Sequence, residues 1–134
     1  MNRVAKKKLV VEIQKLALPI DYKLEYYDEE TDEITDGIIG HVIYVHLMIT
    51  DCSKLKKPYK TSVYFNFDDS YPFVPPAIML EDVLIHELVD DDIVLLCDYC
   101  PAMNFGQLIL NAYCIILEGL ESDSNKDLVD IINK

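Results

Sequence analysis

Tyr71-Pro72-Phe73-Val74-Pro75-Pro76 is the stretch on which the fold reading turns. Its three prolines remove three backbone donors and fix three φ angles, so the chain must leave any sheet here and turn rigidly. The aromatic residue before Pro72 also raises the chance of a cis peptide. Just upstream, Val63, Phe65 and Phe67 recur with the period of a strand. The corner therefore ends a strand.

Working outward, His41 to Ile49 alternates in the same way, with Ile43, Val45, Leu47 and Ile49 on one face. A lysine-containing turn from Ser53 to Lys60 joins this strand to the one before the corner. Tyr22 to Tyr27 reads as a further strand, and the acidic stretch Glu25 to Asp36, closing near Gly37 and Gly40, reads as a hairpin or a mobile loop. From Asn2 to Leu16, the spacing of Ala5, Leu9, Ile13 and Leu16 makes one face of a helix, which Pro19 ends. Its other side carries Arg3, Lys6, Lys7, Lys8 and Lys15, a cationic face that either meets an acidic partner or is simply solvated.

Downstream of the corner, Ala77 to Leu80 and Ile93 to Leu96 are short apolar runs. Asn104 to Leu120 is apolar on nearly all sides with Asn104 as its cap, and Asn125 to Asn133 predicts a short final helix. Helix, antiparallel strands, then helices gives an α+β class, with helices packed on one face of a meander. Residues 1–134 read as a single domain.

Composition narrows the function. A formal charge of −12 repels phosphate backbones and anionic lipid, which argues against nucleic acid and membrane as partners. No apolar run reaches the roughly 20 residues of a membrane span, and the basic amino terminus lacks the core of a signal peptide. The expected compartment is cytoplasmic, nuclear or both. Four cysteines are too few for a disulfide scaffold, so each is read as a thiol.

The Tyr-Pro-Phe-x-Pro-Pro corner after an alternating strand resembles the signature of the ubiquitin-conjugating enzymes and their relatives. A basic first helix, a three-strand meander, Tyr59-Lys60 ahead of Val63 to Phe67, His86, and Pro101-Ala102 before a buried helix follow in that family's order. The resemblance runs from residue 3 to about residue 132. Lys15-Leu16-Ala17-Leu18-Pro19, the spacing through Tyr59-Lys60-Thr61-Ser62, and Leu117-Glu118 are most similar to the neddylating branch.

Such a resemblance implies the UBC fold and a place in ubiquitin-like protein conjugation. The implied partners are ubiquitin or a related modifier such as a Nedd-type one, an activating enzyme docking on Arg3, Lys6, Lys7 and Lys8, and a ligase or partner conjugating enzyme. A conjugating enzyme of this kind is a transferase that carries its modifier as a cysteine thiolester, which needs an accessible thiolate and an oxyanion donor. Cys97 is the expected nucleophile, with Cys100 in reserve and His86 as structural neighbour. No cofactor or metal is expected; Cys97-Asp98-Tyr99-Cys100 with His86 is a single pair, a weak zinc signal.

Three departures from that pattern are written in the sequence. His86-Glu87-Leu88 stands where the family has His-Pro-Asn, which removes the oxyanion asparagine. The segment from the cysteine to Pro101 is about six residues shorter than in active relatives. Aligning Val94 and Leu96 as the inward residues puts Leu95 in the nucleophile's place. The same departures resemble the inactive variants of the fold and the RWD-type interaction domains, so a non-catalytic binding module stands beside the carrier. Cys114, inside an apolar helix, is expected to be buried; Cys52 reads as a loop thiol.

Overall fold

The computed structural model describes residues 3–28, 33–35, 42–96 and 98–134. His41, Cys97, residues 29–32 and residues 36–40 lie outside them. The first helix, α1 (Arg3–Gln14), inserts Ala5 and Leu9 into the core, with Ile13 and Leu16 half-buried behind them. This is the apolar stripe of the sequence.

Four longer strands follow: β1 (Asp21–Asp28), β3 (Val42–Ile49), β4 (Tyr59–Asn66) and β5 (Ala77–Leu80), with the short β2 (Glu33–Thr35) paired to β1. β6 (Val89–Asp90) and β7 (Val94–Leu95) form a small hairpin. Among the described residues the sheet runs β2-β1-β3-β4-β5-β7-β6, every pairing antiparallel. Register aligns Leu24 with Val45, Val45 with Val63, and Val63 with Leu80, so one face is continuously aliphatic.

That face is covered by α2 (Phe105–Glu121), which buries Phe105, Leu108, Ile109, Ala112 and Ile116. Phe105 stands edge-on to Phe65 and Phe67 at 5.1 and 5.3 Å. Burying each such large side chain contributes about 1.5–3 kcal/mol, so this seam carries much of the stability. The helix starts where the sequence places it. Asn104 Oδ1 accepts from Gln107 N–H at 2.9 Å while Gln107 Oε1 accepts from Asn104 N–H at 2.8 Å, a reciprocal cap.

After a 3-10 turn (Asp123–Asn125), α3 (Lys126–Ile132) returns to the β3–β4 loop. Asn133 Nδ2 donates to Lys54 O at 3.0 Å, and Lys56 N–H donates to Asn133 Oδ1 at 2.7 Å. Beside them Lys54 Nζ lies 2.8 Å from Asp123, holding that carboxyl below its ordinary range.

Of the two readings of the acidic stretch, its described part takes the hairpin form, with β2 paired to β1. Other expectations are corrected. β6 was not anticipated, because its pairing depends on Asp91 and Asp92, both left-handed at φ 51° and 66°, which no apolar period announces. Asp91 N–H donates to Asp90 Oδ1 at 3.1 Å within that turn. Cys52 is a core residue, 4% exposed, and Cys114 is exposed, because α2 turns only one face to the sheet and Cys114 falls on the other.

Candidate functional site

The expected site residues fall into two groups. The first is built on α1 and the proline corner. Arg3, Lys6, Lys7 and Lys8 are all exposed on the outer side of α1, as the helical period requires. Arg3, Lys7, Lys8 and Lys15 rim a groove of about 1050 Å³ whose apolar wall includes Val11, Leu16, Leu18 and Leu110. The groove is closed below by Gly106, where a Cβ would come within 3.1 Å of Leu16. A side chain at 106 would require Leu16 to shift by a few tenths of an ångström.

Glu12, on the same helix, connects this face to the corner. Lys8 Nζ lies 3.5 Å from Glu12 Oε1, and the Tyr71 hydroxyl donates to Glu12 Oε2 at 2.6 Å. Burial, then this bond to a carboxylate, holds the Tyr71 hydroxyl well above its ordinary pKa. The Tyr71 ring is buried and edge-on to Phe67 at 4.8 Å. Tyr71-Pro72 is cis, and the segment runs outside every strand, with Phe73 N–H bonded to Ser70 O at 2.7 Å. Pro76 is buried while Phe73, Val74 and Pro75 face solvent.

From the corner the connection continues to the thiol segment. Tyr99 hydroxyl donates to Pro72 O at 2.5 Å, and Met103 N–H to Cys100 O at 2.9 Å. Cys100 is an exposed free thiol in this tied loop. Cys97, the expected nucleophile, lies outside the described residues.

The second group surrounds His86. Leu88 N–H donates to His86 Nδ1 at 3.0 Å, which assigns the ring proton to Nε2, facing Glu118 Oε2 at 3.0 Å. Both ring nitrogens are therefore engaged in closing the turn. Asn125, 5% exposed, clamps the preceding residue: its Oδ1 accepts from Ile85 N–H, and its Nδ2 donates to Ile85 O and Gly119 O, all at 2.8–2.9 Å. Leu96 N–H donates to Leu88 O at 2.7 Å, setting the two leucines opposite one another. Leu95 ends β7 with only 5% of its surface exposed.

The fold that carries this arrangement matches a known architecture. The solved structure of S. cerevisiae Ubc12 superposes with a TM-score of 0.64 over 96% of this chain and 70% of that one, at 16% sequence identity. The chain has the UBC fold. No protein-family model and no curated protein matches it by sequence.

Within the UBC fold, the cationic helix, the corner and the thiol segment are joined by the Glu12–Tyr71 and Tyr99–Pro72 bonds, while His86 is held separately by Glu118. Sequence reading missed Glu12, Glu118 and Asn125 as the residues that do this joining. Asn125 alone left a signal, as a polar residue between two apolar helices. Among the described residues no group of three or more His, Cys, Asp or Glu is arranged to hold a metal ion, and no helix is long and apolar enough to cross a membrane.

Proposed function

We propose that this chain works in ubiquitin-like protein conjugation as a docking module of the UBC fold, binding a modifier or an active conjugating partner rather than carrying the modifier itself. One observation carries the reading. In the His86-Glu87-Leu88 turn, where a carrier needs an oxyanion donor, the His86 ring is spent on Glu118 and Leu88 N–H, and Leu88 faces Leu96. Loss of one such donor costs on the order of 10²–10³ in rate in other enzymes.

The cationic groove on α1 supplies the second half of the module. Its four exposed cations suit an acidic surface of a partner, by resemblance the activating enzyme or a conjugating partner, acting mainly on encounter rate.

The carrier reading keeps one favourable observation, the exposed Cys100 on a loop tied to the corner. In that reading Cys97 is the first candidate nucleophile and Cys100 the second. Incubation with activating enzyme, ATP and a panel of modifiers, led by a Nedd-type one, separates the two readings on a non-reducing gel. The docking module gives no reductant-sensitive adduct. An adduct abolished by Cys97→Ala, or by Cys100→Ala alone, would replace the module with a carrier and name its nucleophile.

A further inference from the structure

All of the chain's formal charge sits in one part of it. Residues 61–125 contain twelve carboxylates and neither lysine nor arginine, whereas the remainder holds twelve of each sign. In the middle of that stretch lies a run of exposed aliphatic side chains: Ile85 at 53%, Leu88 at 41% and Leu96 at 47% exposure. Leu88 and Leu96 are held opposite each other by the Leu96–Leu88 backbone bond, and Ile85 is fixed by the buried Asn125 at the start of the same turn. The patch sits beside the β6–β7 hairpin, at one end of the sheet.

On the segments that carry these three residues the exposed charged groups are anionic, while Lys126, next to Asn125, is exposed on the Ile85 side. Glu87, Asp90, Asp91, Asp92 and Asp98 are all exposed, and Glu118 is two-thirds exposed beside His86. His86 is the basic side chain within this stretch, and its ring is already bonded to Glu118. Grouped aliphatic side chains on a surface mark a contact site, and a predominantly anionic rim selects the partner's charge. A hydrophobic contact alone would be unselective; the rim excludes acidic proteins and accelerates encounter with basic ones.

We infer that Ile85, Leu88 and Leu96 form the centre of a second docking surface, whose occupant is a protein segment presenting aliphatic side chains flanked by lysine or arginine. The inference rests on the docking-module reading and assigns that module a second face, opposite in charge to the α1 groove. The single chain thus offers a cationic groove to an acidic partner and an anionic patch to a basic one, the layout of an adaptor.

The test uses the full isotopically labelled chain, without activating enzyme or ATP, titrated with a short amphipathic leucine/lysine peptide. Leucine/glutamate and serine/lysine peptides serve as controls. Amide shifts should concentrate at residues 85–98 with the leucine/lysine peptide and be absent with either control. Binding should weaken about tenfold in Leu88→Ser/Leu96→Ser, and also in Glu87→Lys/Asp98→Lys, which leaves the aliphatic centre intact. It should fall as salt rises past about 0.15 M, where the screening length is about 8 Å. Equal binding of the serine/lysine peptide, or shifts spread over all the carboxylates, would reduce the patch to bulk charge and overturn the inference. Concentration-dependent shifts without peptide, abolished by Lys6→Glu/Lys7→Glu, would make the occupant a second copy and overturn it as well. A thiolester adduct in the charging experiment would instead overturn the module reading while leaving these titrations to be read independently.

Discussion

The Tyr71 hydroxyl and Glu12 Oε2, fifty-nine residues apart in sequence, are joined at 2.6 Å across the gap between the proline corner and the first helix. Glu12 Oε1 is buried without a hydrogen-bond partner, with Lys8 Nζ at 3.5 Å as its nearest cation. The Tyr71 hydroxyl therefore supplies the hydrogen bond that this half-buried carboxylate keeps. Tyr71→Phe should destabilise the fold by about 1.5–3 kcal/mol, the range for a hydrogen bond to a charged group. Denaturant unfolding checks this, and an unchanged midpoint would show that the bond is not formed in solution.

Tyrosine ionisation should be split. Burial raises Tyr59, Tyr71 and Tyr113 above the usual value of about 10, Tyr113 to about 12, with Asp82, Glu12 and Asp51 accepting from their hydroxyls. A raised folded-state pKa means the stabilisation is complete below about pH 10 and is lost as pH climbs through the folded value. Absorbance titration near 295 nm should show these three ionising late and together with unfolding. A single smooth titration of all nine tyrosines near pH 10 would contradict it.

Asn125→Ala should be among the most destabilising polar substitutions. It leaves the part-buried Ile85 N–H and Ile85 O without their partner, at about 1–3 kcal/mol for a group left unpaired, while Gly119 O keeps its bond from Ser122 N–H. Hydrogen exchange at Ile85 and His86 should accelerate more than exchange in β3. Equal acceleration everywhere would mean that Asn125 supports the core generally and not this turn.

The thiols should separate by rate. In a Cys97→Ala background, Cys100 and Cys114 should react at once with a thiol reagent and Cys52 only as fast as the protein opens. Two slow thiols would place Cys114 back in the core.

How far the sequence led can be traced through particular residues. The alternation of Ile43, Val45, Leu47 and Ile49, the spacing of Ala5 and Leu9, and the proline corner each follow a local period or a fixed torsion, so their elements were legible. β6 was not, because a two-residue strand closed by left-handed Asp91 and Asp92 exists only through its pairing with β7. Cys114 was misread for a related reason. A helix with apolar residues on most sides does not reveal which side the sheet covers. At the candidate site, residue types were legible but pairings were not: Glu12 to Tyr71, Tyr99 to Pro72 and His86 to Glu118 each span 27 or more positions.

The clasp between Asn133 and the backbone at Lys54 and Lys56 bears on the order in which the molecule is made. Its two bonds join residues 77 and 79 positions apart. During synthesis the meander β3–β4 can pair as soon as it emerges, yet this latch must wait until residue 133 has left the ribosome. Until then Ile132 and Val129 have no settled place against the core. Protection from proteases should thus appear abruptly, over the last turn of α3, rather than gradually along the chain.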